Sequence, residues 1–303
     1  SQKSYDLFQI NFPLNKDGSI NATLKNSLGG LGTESIMVDY NNDGFLDIIS
    51  FTNNYDNFID MPVGYTGYER KQPIEFYLGD CEYNYLVDDQ NNDKFLGLVH
   101  GRKILLGDFN KDDFVDIFFI GHGYDRQPFP GEFPSVLMSD GNGSFNQINF
   151  QDEVSFFHGG ASGDFDNDGD LDVFIIEPGS GKSAILVNNE SVFDFNKTLI
   201  DHSLTQNLFN AELFDLNKDG FLDIIAGGHD WDNEGYNKTP LIIYGDGVDF
   251  VGNDIFRMPQ SNIESQGVVT DFEFYDLNDN GNYEIIISRT GDPYLNASNF
   301  YKG

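Results

Sequence analysis

Five stretches of this chain place a side-chain oxygen at every second residue. The first carries Asp39, Asn41 and Asp43, turns at Gly44, and closes on Asp47. The second has Asp108, Asn110, Asp112 and Asp116; the third has Asp164, Asp166, Asp168 and Asp172. The fourth has Asp215, Asn217, Asp219 and Asp223; the fifth has Asp276, Asn278, Asn280 and Glu284. Oxygen donors at positions 1, 3, 5 and 9, with a backbone carbonyl at position 7, suit a hard cation that takes six to eight oxygens, which is to say calcium. Position 6 is glycine in four loops (Gly44, Gly169, Gly220, Gly281), as a sharp turn with positive φ requires. Asp113 holds that place in the second loop, and Asp tolerates left-handed backbone better than most residues. Asn280 replaces the usual Asp in the fifth loop and predicts weaker binding there. Asp/Asn-rich turns without metal are the alternative, and five such turns in register disfavour it.

The elements around the loops follow from what flanks them. The helix–loop–helix calcium motif closes with a Glu at position 12. Here the last acid comes at position 9 and leads into apolar runs such as Ile48-Ile49 and Ile224-Ile225-Ala226, so each loop is expected between two strands. The first Asp of each loop stands at 39, 108, 164, 215 and 276, and the units recur at intervals of roughly 50–70 residues. The first four units hold a third apolar run (Ile74–Leu78, Ser135–Met138, Ala184–Val187, Leu241–Tyr244), usually followed by a Gly/Asp/Asn turn and a fourth run such as Ser144–Phe150. The expected fold is all-β, a propeller of four-stranded blades with little helix. The blades are expected near 34–99, 100–157, 158–209, 210–266 and 267–303. Residues 1–12 are the candidate closing strand, because Phe8-Gln9-Ile10-Asn11-Phe12 resembles Asn146-Gln147-Ile148-Asn149-Phe150. The fifth unit stops short of its third strand. Either five blades close, or the chain is part of a seven-bladed propeller of roughly 415 residues at this spacing.

The Asp-x-Asn-x-Asp-Gly-x-x-Asp core, the apolar strand after it and the Gly141-Asn142-Gly143-Ser144-Phe145 turn resemble the FG-GAP/VCBS repeat family, which includes the propeller of integrin α-subunits. The resemblance covers most of residues 34–303. It implies that the loop joins the inner two strands of a blade and binds calcium, up to five ions here, in a structural role. It also implies a secreted or cell-surface protein.

Charge agrees with bound cations. Fifty acidic residues against 17 basic ones give a net charge of −33. Five divalent ions would leave about −23. So acidic a chain repels nucleic acid and anionic membranes. No apolar run is long enough for a membrane helix. Cys81 is the single cysteine, which rules out an internal disulfide. No serine nucleophile elbow, phosphate loop or zinc-type histidine pair occurs.

If the acidic loops mark one face, residues before the first strand and after the second lie on the other. There the sequence puts His100, Arg102, His122, Tyr124, Arg126, His158, His229 and Trp231, and the long segments 53–73, 121–134 and 228–240. Aromatic rings stack on sugars while His, Arg and Asp bond hydroxyls, so a binding module for a glycan or extracellular protein is expected. His122, Tyr124, Arg126, His158, His229 and Trp231 are its candidate ligand residues. Two alternatives stand beside it. One is a polysaccharide lyase, with His122, Tyr124, Arg126, His158 or His229 abstracting a proton or neutralising a carboxylate. The other is a structural module of a larger surface protein. Bland polar loop residues would also account for each histidine taken singly.

Overall fold

The computed structural model describes residues 4–11, 21–29, 34–51, 73–92, 94–124, 127–179, 181–189, 192–200, 202–205, 208–228, 239–250, 253–259 and 268–289. It is all-β, and the one helix among these residues is the single turn His202–Thr205. Strands β3 (Glu34–Val38), β4 (Asp47–Phe51), β5 (Ile74–Gly79) and β6 (Tyr85–Val87) form the first four-stranded sheet. The second is β7 (Gly101–Gly107), β8 (Asp116–Gly121), β9 (Ser135–Ser139) and β10 (Phe145–Asn149). The third is β11 (Gly159–Gly163), β12 (Asp172–Ile176), β13 (Ala184–Asn189) and β14 (Val192–Leu199). The fourth is β15 (Leu208–Phe214), β16 (Asp223–Gly228), β17 (Leu241–Ile243) and β18 (Ile255–Arg257). Strands β19 (Val269–Tyr275) and β20 (Glu284–Arg289) begin a fifth. Every sheet is an antiparallel meander in chain order. Upstream, β1 (Ser4–Asn11) pairs with β2 (Asn21–Gly29) as a separate hairpin.

The sheets stand as blades because their apolar side chains face each other across sheets. The first strands touch in succession, β3 with β7, β7 with β11, β11 with β15 and β15 with β19, so they line the inner side. Between blades one and two lie Tyr40, Ile49, Phe51 and Phe76 against Ile117, Phe119 and Leu137. Phe118, Ile120 and Val136 point the other way, onto Val173, Ile175 and Leu186 of blade three. Phe174, Ile176 and Ile185 then meet Ile224, Ala226 and Ile243 of blade four. Ile225 and Ile242 meet Val269 and Phe272 of blade five. A second strand sandwiched this way must be apolar on both faces, which is why Ile117-Phe118-Phe119-Ile120 reads as a continuous run and not an alternation. Each such side chain contributes about 1.5–3 kcal/mol on burial.

One inner strand is unlike the rest. β11 is Gly159-Gly160-Ala161-Ser162-Gly163, and a Cβ on Gly160 would lie 2.2 Å from the Phe174 carbonyl oxygen. The small strand leaves room for Lys103 of β7 to reach Glu212 of β15 at 2.7 Å, with Asp271 of β19 at 3.9 Å. Three blades are thus tied by one ammonium group.

Candidate functional site

The acidic loops join the first two strands of every sheet: 39–46, 108–115, 164–171, 215–222 and 276–283. They share one internal geometry. The position-1 carboxylate accepts the N–H of position 6: Gly44 to Asp39 (2.9 Å), Asp113 to Asp108 (2.9 Å), Gly169 to Asp164 (3.0 Å), Gly220 to Asp215 (3.0 Å), Gly281 to Asp276 (2.7 Å). The position-5 side chain accepts the N–H of position 7 in all five, at 2.8–3.0 Å. Closing so tight a turn needs positive φ twice. Position 4 adopts it in Asn42, Lys111, Asn167, Lys218 and Asp279, and position 6 in the four glycines and in Asp113, where φ is 69°. Asp113 therefore accepts the left-handed turn, and the second loop keeps the common bonding pattern.

The position-9 residue has a second role that its sequence spacing does not announce. Asp47, Asp116, Asp172 and Asp223 are fully buried. One oxygen of each accepts the N–H of loop position 2: Tyr40 (3.3 Å), Phe109 (2.9 Å), Phe165 (2.8 Å) and Leu216 (2.9 Å). The other accepts an N–H at the end of the third strand: Gly79 (2.9 Å), Ser139 (2.7 Å), Asn188 (2.8 Å) and Gly245 (3.0 Å). Glu284 keeps the first bond, from Leu277 at 2.8 Å, and turns its other oxygen to the Asn278 amide at 3.0 Å. Burial pushes Asp47, Asp116 and Asp172 up to about 6, against the lowering pull of those N–H groups and with help from neighbouring loop carboxylates. Asp223 is raised for the same reason, burial first.

The third loop is the one best shaped for an ion. Asp164, Asp166 and Asp172 bring ligand oxygens within 4.8 Å of one another. Asp164 Oδ1 is buried with no hydrogen-bond partner. In loops one, two and four, Oδ1 of position 1 instead accepts the position-5 N–H at 3.1 Å, and position 3 is an Asn whose amide donates to the position-5 carboxylate. An orphan carboxylate oxygen beside two more carboxylates fits a calcium ion, which would satisfy that oxygen and cancel the repulsion.

At the opposite end of the sheets, His100, His122 and His158 gather. Their ring centroids lie 4.1 Å (His100–His122) and 5.3 Å (His122–His158) apart. Phe156 stacks on His122 at 4.2 Å, and Phe209 meets His158 edge-on at 4.3 Å. Glu132 holds this end together by accepting the N–H groups of Val99 (2.7 Å), His100 (3.0 Å) and Gly123 (2.9 Å). His122 Nδ1 lies 3.1 Å from the Gly123 carbonyl, which can only accept, so Nδ1 carries the proton and Nε2 is a bare lone pair. That Nε2 is buried without a partner. Burial, with Arg102 adding its charge, lowers His100 to about 3 and holds His122 and His158 well below the usual histidine range. The three are neutral imidazoles. His122 and Tyr124 are 0% and 2% exposed, so they sit inside the protein and not on an open platform. Arg126, His229 and Trp231 lie outside the described residues. Sequence spacing had no means of revealing Glu132, because its work is to cap backbone N–H groups of two other segments.

Residues 164–226 match the FG-GAP-like repeat family. The match spans the third acidic loop, β12 to β15 and the fourth loop. No curated protein matches the chain. No helix among the described residues is long and apolar enough to cross a membrane.

The two roles of the loop acids separate in variants. Asp116→Asn leaves one of two buried N–H groups facing an amide NH₂, and is expected to cost about 1–3 kcal/mol in chelator. Asp112→Asn, exposed at position 5, is expected to stay within about 0.5 kcal/mol of wild type in chelator. Urea denaturation in chelator checks both, and equal stabilities for the two variants would contradict the assignment.

Proposed function

With an FG-GAP-like repeat at residues 164–226 as premise, we propose that the chain is a calcium-stabilised, extracytoplasmic β-propeller that presents a glycan or an extracellular protein with a binding face. The observation that carries the calcium reading is the buried, unpartnered Asp164 Oδ1 beside Asp166 and Asp172. Calcium would be held by Asp39, Asn41, Asp43 and Asp47 in the first loop and by the matching residues of the other four. Its chemistry here is to neutralise clustered carboxylates and fix the hairpin, a structural role. The five blade boundaries and the closing role of residues 1–12 belong to the same proposal, with the β1–β2 hairpin as the element that would carry it.

The ligand face is the end away from the loops. His100, His122 and His158 would form its rigid floor, and the segments bearing Arg126, His229 and Trp231 its contact surface. The burial of His122 and Tyr124 favours binding over proton abstraction, because neither ring can approach a substrate carbon directly. Glycan and extracellular-protein arrays probed with the calcium-loaded chain test this. Retention of a ligand that is lost in a Trp231→Ala variant is expected, and no retention on any array would overturn the binding reading.

Calcium should also raise the melting temperature. Binding to the folded state adds RT ln(1 + [L]/Kd) for each site, about 2.7 kcal/mol at one hundred times Kd. The sign with pH follows from the raised carboxyls. A carboxyl whose pKa is higher folded than unfolded stabilises when protonated, and that contribution is lost as pH rises through about 6. Calcium needs the ionised form, so protons compete with it below that value. The calcium-induced rise in melting temperature is expected to be large at pH 7 and much smaller at pH 5. A melt indifferent to calcium and chelator at pH 7 would contradict the site.

A further inference from the structure

Position 4 of each acidic loop supplies no ligand oxygen in the calcium reading, yet its side chain repeatedly leaves its own blade for the next one. Asn42 donates to the Gly141 carbonyl in the β9–β10 turn of blade two at 3.2 Å. Lys111 of loop two reaches Asp170, position 7 of loop three, at 2.6 Å. Asn167 of loop three donates to the carbonyl of Gly220, position 6 of loop four, at 3.1 Å. Lys218 of loop four donates to the carbonyl of Gly281, position 6 of loop five, and lies over the Tyr283 ring at 4.7 Å. All four donors have φ between 56° and 64°, a left-handed conformation that the closed loop imposes.

These contacts land at sensitive places. Gly220 stands between Asp219 at position 5 and Phe221 at position 7, so its peptide joins two ligand positions. Gly281 stands between Asn280 and Asn282 in the same way, and Asp170 is itself position 7. Fixing one of these peptides fixes the geometry that the next ion meets. The donor is fixed in turn only while its own loop is closed.

We propose that the position-4 side chains Lys111, Asn167 and Lys218 latch each calcium loop to the one after it, so that the sites of loops two to five fill cooperatively, in a chain, and not independently. The proposal rests on the calcium reading above. An ion that orders loop three holds Asn167, which orders the Gly220 peptide and removes part of the ordering cost of the next ion. Coulomb repulsion between neighbouring ions acts the other way, but it is weak between exposed sites in salt. Lys111 and Lys218 reduce it further by placing positive charge on the neighbouring loop. The fifth loop, whose position 5 is Asn280, gains most from its latch.

The test is a calcium titration of the whole chain followed by the amide cross-peaks of Gly169, Gly220 and Gly281, each reporting its own loop. Asp168→Asn weakens loop three directly. With the latch present it should move the Gly220 midpoint to roughly two- to ten-fold higher calcium, the worth of one ordinary hydrogen bond. In an Asn167→Ala background that dependence should vanish. Lys218→Met should move the Gly281 midpoint most and the Gly169 midpoint least. If the Gly220 midpoint ignores Asp168→Asn, or responds equally with and without Asn167, the latch is overturned while calcium binding stands. If no glycine responds to calcium, the calcium reading falls and the latch falls with it.

Discussion

A buried carboxylate that accepts two backbone N–H groups is the interaction on which each complete blade depends. Asp47, Asp116, Asp172 and Asp223 each sit at the first residue of a second strand, with one oxygen on the loop before it and the other on the end of the third strand. Three elements are thereby fixed to one side chain. A charge-assisted bond of this kind contributes about 1.5–3 kcal/mol, and leaving either N–H unpaired in the interior costs about as much. The same residue closes the acidic loop, so any cation held there would share one group with the blade geometry. Burial makes that carboxyl reluctant to ionise, and a cation in the loop would supply the field that lets it.

The consequence is a protein with two unlike ends. At one end exposed acidic loops carry the charge, and their side chains bind first to their own backbone and then to the neighbouring loop. At the other end three imidazoles pack together, His100 on His122, His122 on Phe156 and His158 on Phe209, and Glu132 accepts three backbone N–H groups. Between them the core is no single nucleus but a series of apolar layers, one between each pair of sheets. Among the inner strands, Lys103 ties blade two to blades four and five.

Much of this was legible from residue order. The strand–loop–strand unit, its third and fourth strands and the scarcity of helix followed from the acidic loop and the apolar runs around it. Runs such as Ile48-Ile49 and Ile224-Ile225-Ala226 after the loops were expected as strands, and they lie in β4 and β16. The histidines before β7, after β8 and before β11 belong to one end because each strand reverses direction. Sequence order could not tell that His122 and Tyr124 are interior, since burial depends on what covers them. Nor could it show that position 9 binds the third strand, because its partners Gly79, Ser139, Asn188 and Gly245 are of three residue types and offer only a backbone N–H, which is the same for all. The cross-blade contacts of position 4 were equally hidden, as Asn and Lys there read as ordinary turn residues. The bonds from Asn42, Lys111, Asn167 and Lys218 to the next blade bring them out.

The central claim is that the five acidic loops hold calcium, and its most direct measurement is the number of ions bound per chain. Native mass spectrometry or equilibrium dialysis of the purified chain at neutral pH, with calcium in excess, reads that number. The account predicts several ions, up to five, with loop three among those filled and one ion fewer in an Asp164→Ala, Asp166→Ala double variant. A chain that binds no calcium under these conditions would contradict it.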